Sequence, residues 1–387
     1  MSVTAEPLRT PQPLSLPVLY IGVVALLIAG LQPVVLGGLM EAGRLSVAGI
    51  GVAATVELLA LGLACGASAA LLRPTGLRAK LAVAALAHAL CNLATLWMAD
   101  GALIGLRAAT GVFAGVMLWS TVGMIARSAR PERQAGVFVT VQTLAQMVLA
   151  ALLPRTAMAA WGVDGALVVL AVISATAAGA ALAAPRGYAP LPHRAEGGGG
   201  LSPLAWAGLA AVFLYMAFIV AIWVYLEPLA AAAGLPPAQA HDAVAAALAM
   251  QVLGGLVATV AGGRLRPGPV LIGAGLINLG LVAALSSHPS GAAFMGLVAV
   301  FGFLWLFVLP FHTVLLIAID PSRRAAMQLG AAQLLGSSAG PLAASLLVGD
   351  SDAAGAMKLA GACLVLALTL IVGVVAVTAR RRAAVAL

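Results

Sequence analysis

Residues 185–202, PRGYAPLPHRAEGGGGLS, interrupt a chain that is otherwise dominated by apolar side chains. Proline, glycine and charge cluster in this stretch, as expected of a flexible linker. Of the 387 residues, 63% are hydrophobic and only 8% are charged. Soluble domains carry roughly 25% charged residues. The composition therefore excludes a soluble protein and indicates a membrane protein that is divided into two parts at this linker.

Apolar runs of about 20 residues, the length that crosses a bilayer, recur on both sides of the linker. Alternating segments of the kind found in β-barrels are not visible, and the first run lacks a signal-peptide cleavage site. The sequence predicts an all-α membrane protein with twelve transmembrane helices, six in residues 1–184 and six in residues 203–387, joined by a cytoplasmic linker, 185–202. The predicted spans are 15–40, 46–72, 80–98, 102–126, 135–159, 165–184, 203–230, 240–262, 268–286, 291–318, 325–348 and 355–379.

Basic residues are concentrated at the two termini and in the even-numbered loops. Only Arg44, Arg155 and Lys358 fall at odd-numbered loops or their helix ends, and Arg107 lies inside span 4. Because cytoplasmic loops carry the excess of Lys and Arg, both termini are predicted to face the cytoplasm. This topology accounts for the net charge of +8, so we expect no nucleic-acid partner. Sixteen of the twenty Lys and Arg residues lie at the termini or in even-numbered loops: Arg9, Arg73, Arg78, Lys80, Arg127, Arg130, Arg133, Arg186, Arg194, Arg264, Arg266, Arg323, Arg324, Arg380, Arg381 and Arg382.

Five pairs of sequence features recur in the same order in the two halves, which predicts a duplicated six-helix unit. Parallel repeats related by an axis along the membrane normal are a known transporter plan, with the binding site at the interface between the repeats. The pairs are Leu31-Gln32-Pro33 with Leu226-Glu227-Pro228, Glu57 with Gln251, Arg73-Pro74 with Arg266-Pro267, Gly111 with Gly302, and Gln142 with Gln333.

Twelve spans, a repeated half, a central linker and basic even loops resemble the major facilitator superfamily over the whole chain. The family's fourth-helix motif is matched by Arg107-Ala-Ala-Thr-Gly111, followed by Gly115. Its loop 2–3 motif survives in degraded form at 72–80, LRPTGLRAK, with Arg73 where the family has an acid. The resemblance implies two pseudo-symmetric bundles that rock about a central site, with helices 1, 4, 7 and 10 around the substrate.

Glu57 stands alone among apolar and small residues in span 2, AATVELLALGLACG at 53–66. A charge at bilayer depth costs at least about 2.5–3.5 kcal/mol on insertion scales, so it should be paired or face a wet cavity. Glu57 lies about 15 Å and Arg107 about 8 Å along their helices from the outer side, which makes a pair possible. Two alternatives stay open. Both residues line the cavity, with Glu57 carrying a proton, or Arg107 extends outward to Asp100 and Glu57 is structural.

Glu227 lies near the outer end of span 7, where Pro228 is expected to bend or end the helix. Its alternative role is that of an interfacial acid within an aromatic belt. Glu57 and Glu227 are the predicted proton-coupling residues. Other polar residues in the predicted spans are candidates for substrate contact. The alternative role of Gln32, Gln142, Gln251 and Gln333 is interhelical hydrogen bonding, and that of His312 is packing. The predicted substrate-binding residues are Arg107, Gln32, Gln142, Trp223, Tyr225, Gln251, Trp305, His312 and Gln333.

Several function classes find no support in the sequence. It contains no phosphate-binding loop, no nucleophile–histidine–acid set and no i, i+4 pair of soft metal ligands. We therefore expect no catalytic residues, no metal and no cofactor, with the proton gradient as energy source. The prediction is a monomeric, multi-pass inner-membrane secondary transporter of a small organic solute, with Arg107 favouring a carboxylate or zwitterion. The alternatives are proton-driven efflux of amphipathic compounds and a non-transporting receptor or assembly factor with the same fold.

Overall fold

A computed structural model describes residues 14–188, 201–261, 264–320, 323–349 and 352–385. These segments form fourteen α-helices and one short 3-10 helix, Thr95–Trp97. Most of the predicted linker 185–202, including Arg194, lies outside the described residues, as does Arg9. The helices are α1 Leu16–Glu41, α2 Val47–Leu71, α3 Leu77–Ala94, α4 Asp100–Arg127, α5 Pro131–Leu152, α6 Ala157–Leu182, α7 Pro203–Val224, α8 Leu226–Ala232, α9 Pro237–Ala261, α10 Pro267–Leu285, α11 Gly291–Ile319, α12 Arg324–Met327, α13 Leu329–Ser345 and α14 Ala354–Val385.

The all-helical, multi-span prediction is confirmed. Within the described segments, eleven helices are long and apolar enough to cross a membrane. The helix at the predicted eleventh span, α13, has 17 residues and is preceded by the single-turn helix α12. Ten further predicted spans each coincide with one long helix, and the predicted seventh span coincides with α7 and α8 together.

Proline and glycine account for the places where the predicted spans and the observed helices differ. Span 7 is not continuous to residue 230 but breaks at Tyr225, three residues before Pro228, because a proline ring clashes with the carbonyl four residues earlier. Span 5 ends at Leu152 rather than at residue 159, just before Pro154. Helix α6 contains non-helical backbone at Trp161 and Gly162, where Gly162 has φ +58°, a conformation that glycine adopts freely.

Equivalent helices in the two halves pack in equivalent ways. Helix α2 packs along α4, and α9 packs along α11. At Gly111 of α4 the backbone of α2 approaches so closely that a Cβ would collide with the Glu57 carbonyl, and at Gly302 of α11 a Cβ would collide with the Ala247 carbonyl. Small residues allow such backbone contact between membrane helices. Because Glu57 and Ala247 make equivalent contacts in the two halves, Ala247 is the structural counterpart of Glu57. The sequence comparison had paired Glu57 with Gln251, which lies one helical turn after Ala247.

One end of the molecule is held together by contacts between the halves, and we call it the closed end. There the C-terminal ends of α1, α5, the α7–α8 segment and α13 meet the N-terminal ends of α2 and α9. The opposite end carries the basic loops, such as the one between α4 and α5, and we call it the basic end. The contacts at the closed end are Gly37 with Glu227, Gly51 with Pro341, and Arg155 with Asp242.

The start of the linker is attached to the N-terminal half at the basic end. Gly187 pairs with Thr75 in an isolated antiparallel bridge. The Tyr188 ring lies under the Arg127 guanidinium, 4.2 Å from its centre, and meets Trp119 edge to face. Burial raises the pKa of the Tyr188 phenol to about 12, so this side chain stays neutral at physiological pH. The neutral Tyr188 ring therefore interacts with the Arg127 guanidinium through its aromatic face and not as an anion.

Candidate functional site between the two halves

An aromatic column runs between α7 and α11. Its members are Tyr215, Phe218 and Trp223 of α7 with Phe301 and Trp305 of α11. Phe218 meets Tyr215 and Phe301 edge to face at 5.6 and 6.0 Å, and Trp223 meets Trp305 at 5.5 Å. Edge-to-face pairs add to the energy of burial. Four of the five rings are buried, whereas Trp305 remains partly exposed, so Trp305 is the ring that a ligand could reach.

The aromatic column is joined to the N-terminal half through Trp223. Its indole Nε1 donates a hydrogen bond of 2.9 Å to the carbonyl oxygen of Ala29 on α1. Three residues further along α1 lies Gln32, which is fully buried and whose amide oxygen and nitrogen have no hydrogen-bond partner among the described residues. A buried amide without partners is expected to bind water or a ligand. The structure therefore brings two sequence-predicted residues, Trp223 and Gln32, to the interface between the halves.

The inner part of the aromatic column carries polar groups. The His312 ring lies 5.0 Å from the Tyr215 ring, and neither of its nitrogens has a hydrogen-bond partner within the described segments. The Tyr215 hydroxyl accepts a hydrogen bond of 2.8 Å from Asn278 of α10, whose own carbonyl oxygen is unpaired. His312 is 2% exposed, so burial without partners again favours a bound polar group or water. His312 was among the predicted site residues, whereas Tyr215 and Asn278 were not.

Glu227 is positioned by the break between α7 and α8. Its carboxylate Oε1 lies 3.1 Å from Nε2 of His241 on α9, an ion-pair distance that falls outside hydrogen-bond geometry. The other oxygen lies against α1 at Gly37, where a Cβ would collide with it. A carboxylate is thus wedged between the halves, 5% exposed. His241 was not among the predicted site residues, but it is only 8% exposed and faces Glu227.

Arg107 and Glu57 form an ion pair of 3.3 Å in which both side chains are fully buried. One guanidinium nitrogen donates to the Glu57 carboxylate. The other donates hydrogen bonds of 3.0 Å to Asn92, Thr95 and Thr110. Arg107 Nε and the second Glu57 oxygen have no partner in the described part of the chain. Four acceptors around one guanidinium satisfy most of a charge that would otherwise be costly to bury.

This ion pair lies inside the N-terminal half, among α2, α4 and the end of α3. On α2, Thr55 faces the other half and donates a hydrogen bond of 2.8 Å to the Ser338 carbonyl. Glu57 lies two residues later, on a different side of the helix, against α4. Arg107 thus does not extend to Asp100, the alternative considered above, and its partners belong to its own half. Asn92, Thr95 and Thr110 were not among the predicted residues. Thr110 follows Arg107 by one helical turn, a spacing that could have indicated it, whereas Asn92 and Thr95 lie on other elements.

The remaining predicted site residues lie at varied positions. Tyr225 is fully buried at the helix break, and its hydroxyl lies against Gly51 of α2. Gln251 of α9 is buried, and its amide nitrogen has no hydrogen-bond partner in the segments that the structure describes. Gln142 of α5 and Gln333 of α13 are partly exposed. Across the described ranges, no group of three or more His, Cys, Asp or Glu side chains is arranged to hold a metal ion.

Comparison with known proteins relates the whole architecture to transporters. No family model matches the chain, and no curated protein matches it in sequence. Solved structures do match over almost the full length. A nucleoside transporter, NupG, aligns with a TM-score of 0.68 at 13% identity, covering 93% of this chain and 99% of that one. The D-xylose-proton symporter aligns with a TM-score of 0.66 at 13% identity, covering 92% and 94%.

The chain shares its fold with these solved proteins, which are major facilitator superfamily transporters. A bacterial homologue of the human lysosomal transporter Spinster, in an inward-facing and occupied conformation, aligns with a TM-score of 0.59 at 16% identity and covers 95% of both chains. The solved neighbours of this major facilitator fold are transporters and not enzymes. At these identities the likeness establishes the fold alone and says nothing of the substrate. The multi-pass membrane character rests on the eleven long apolar helices of the described segments.

Proposed function

We propose that this protein is a monomeric secondary transporter that moves a small organic solute across the inner membrane by alternating access. Residues 1–184 and 203–387 act as the two moving bundles, with twelve spans in all and 185–202 as the linker. The observation that carries this proposal is the closed end. A carboxylate, a tyrosine hydroxyl and an indole from one half are packed directly against backbone of the other, at Gly37, Gly51 and Ala29.

The orientation follows from the charges. The basic end carries the loops rich in Arg and Lys, and such loops stay in the cytoplasm. Both termini are then cytoplasmic, and the closed end faces outward. In this state the outer gate is shut by glycine contacts along α2 and α13, from Gly51 as far as Gly62, which lies against Leu334. Alternating access would separate these two helices and admit solute from outside.

The substrate class is inferred from the aromatic column. Its partly exposed member, Trp305, offers a flat apolar surface, and the unpaired groups of Gln32 and His312 offer hydrogen bonds. Arg107 gives no support to an anionic substrate, because Glu57 and three oxygens of its own half surround it. We therefore favour a neutral or amphipathic organic compound with one flat apolar face. Efflux of amphipathic compounds is the second candidate, on the same aromatic observation.

The transport proposal is tested with protein in liposomes and a panel of nucleosides, sugars, organic acids and amphipathic aromatics. We expect Trp305→Ala to raise the KM of the transported compound about 5- to 10-fold, since aromatic contacts contribute about 0.5–1.5 kcal/mol beyond their buried area. The control is Trp206→Ala, which removes an exposed tryptophan from α7 and should leave KM unchanged. If no compound is transported while some raise the melting temperature, the receptor alternative gains.

Proton coupling is assigned to Glu227, because it is the buried carboxylate that lies between the halves. Protonation would remove the charge that faces His241 and weaken the contact between the Glu227 carboxylate and α1 at Gly37. Glu227→Gln is expected to abolish accumulation driven by a pH gradient and to retain at least half of the rate of solute exchange without a gradient. Uptake and exchange are measured on the same vesicles. Accumulation by Glu227→Gln equal to that of the unmodified protein would move the assignment to Glu57 or to another ion.

A further inference from the structure

A groove lies at the closed end of the C-terminal half, away from the aromatic column. Its volume is about 370 Å³, and α8, α10 and α14 form its walls. Seven apolar side chains line it, three of them alanines, and two exposed side chains of opposite charge complete its lining with Ser286, His288 and Gly361. The lining includes Leu229, Val282, Leu285 and Met357, and its charged side chains are Asp352 and Lys358. Such a groove accommodates a molecule with an apolar body and a charged head.

Lys358 is the unusual member of this groove. It is one of three basic residues at the end of the molecule that has few of them, together with Arg44 and Arg155. Arg44 pairs with Asp164 and Arg155 pairs with Asp242. Lys358 has no hydrogen bond and no ion pair within the described segments, and it is exposed. A strongly hydrated ammonium group beside apolar surface is complementary to an oxyanion.

The helices that flank the groove carry exposed apolar surface, as the lipid-facing parts of membrane helices do. The helices on either side present exposed apolar side chains on their outer surfaces, Leu276 and Ile277 on α10 and Val365 and Leu366 on α14. Lys358 is the fifth residue of α14, about one turn and roughly 6 Å from its start. That depth is where phosphates of a lipid leaflet meet the ends of membrane helices.

We propose that this groove binds one glycerophospholipid from the leaflet at the closed end, with the phosphodiester on Lys358 and an acyl chain along Val282, Leu285 and Met357. The carboxylate of Asp352 disfavours an additional negative charge on the headgroup, so a zwitterionic lipid such as phosphatidylethanolamine fits better than an anionic one. The bound lipid would bridge α8, which carries Glu227, to α10 and α14. The site is separate from the transported solute and does not depend on its identity.

Native mass spectrometry of the delipidated full chain, titrated with phosphatidylethanolamine, tests this site. We expect one retained lipid, whose Kd rises at least about fivefold in Lys358→Ala, as for loss of a charge-assisted hydrogen bond. Lys358→Arg should retain lipid binding. Gly361→Leu should abolish lipid binding, because Gly361 lines the groove and a Cβ there already lies 3.6 Å from Val282. Lys80→Ala, at the chain's only other lysine, is the control and should bind as the unmodified protein does.

Two further ligands separate the headgroup from the chains. Diacylglycerol with the same acyl chains lacks the phosphate, and inorganic phosphate lacks the chains. We expect each to bind at least about fivefold more weakly than the phospholipid, since each lacks one of the two recognised parts. Equal retention of lipid by Lys358→Ala, equal binding of diacylglycerol, or an equal response to inorganic phosphate would each overturn the proposal.

Discussion

Replacing Arg107 by methionine is expected to lower the free energy of unfolding by about 3–5 kcal/mol, because removing one partner of a buried ion pair leaves an uncompensated charge. Glu57 is fully buried, and after the substitution it would face an apolar side chain with its second oxygen already unpaired. Asn92, Thr95 and Thr110 would lose the donor that they share. Thermal or denaturant unfolding in detergent measures the change.

A double-mutant cycle isolates the ion pair from the rest of the cluster. Glu57→Gln together with Arg107→Met removes both charges, so the double variant should recover at least half of the stability that Arg107→Met loses. The control is Arg155→Met, whose ion pair with Asp242 is largely exposed, and which should cost less than about 1 kcal/mol. A double variant as unstable as Arg107→Met would show that the hydrogen bonds to α3 and α4, and not the charge pair, hold this region together.

The same double variant separates structure from transport. If Glu57 and Arg107 serve only to hold α2, α3 and α4 together, a folded double variant keeps gradient-driven uptake. If the double variant folds and exchanges solute but no longer accumulates it, the Glu57–Arg107 pair takes part in coupling, and the assignment of coupling to Glu227 alone is wrong.

Replacing Gly51 by leucine is expected to prevent the closed end from closing. A Cβ on Gly51 would collide with the Tyr225 hydroxyl and the Pro341 carbonyl, both of the other half. Overpacking costs about 1–3 kcal/mol, and here the halves can avoid it by moving apart. That energy shifts the ratio of the two conformations about 5- to 150-fold, toward the state open at this end. Uphill transport should fall accordingly, because the cycle needs both conformations.

Distances between spin labels across the closed end report this shift. Labels at Ala42 and Ala231, both exposed and in opposite halves, are introduced after replacing Cys65, Cys91 and Cys363. Gly51→Leu should populate a longer distance than the unmodified protein. Gly66→Leu is the matched control, on the same helix but with open space around a Cβ, and should leave the distribution unchanged. An unaltered distance in a folded Gly51→Leu protein would refute the assignment of this contact as the outer gate.

Interior residues show why some of the site was predictable and some was not. Glu57, Arg107, Glu227 and His312 were identifiable because a charged or titratable group in an apolar run is costly unless it has partners. Their partners on other helices were not identifiable. Asn92 is 15 positions before Arg107 and His241 is 14 after Glu227, and no local spacing rule links residues on different helices. Polar residues such as Tyr215 and Asn278 look ordinary until packing makes them neighbours.

The sequence by itself determined a helical, multi-span membrane protein with repeated halves, because each span must satisfy its backbone hydrogen bonds within itself and cover them with apolar side chains. It also determined where α7 would break, since Pro228 acts on its own helix. Only the tertiary structure decided which way each polar side chain faces. Glu57 faces its own half, where the backbone of α2 packs against Gly111, and Glu227 faces the other half, where Gly37 leaves room for its carboxylate. Those contacts join residues far apart in the chain, and that is why only the assembled bundle distinguishes a carboxylate buried within one half from a carboxylate that lies between the halves.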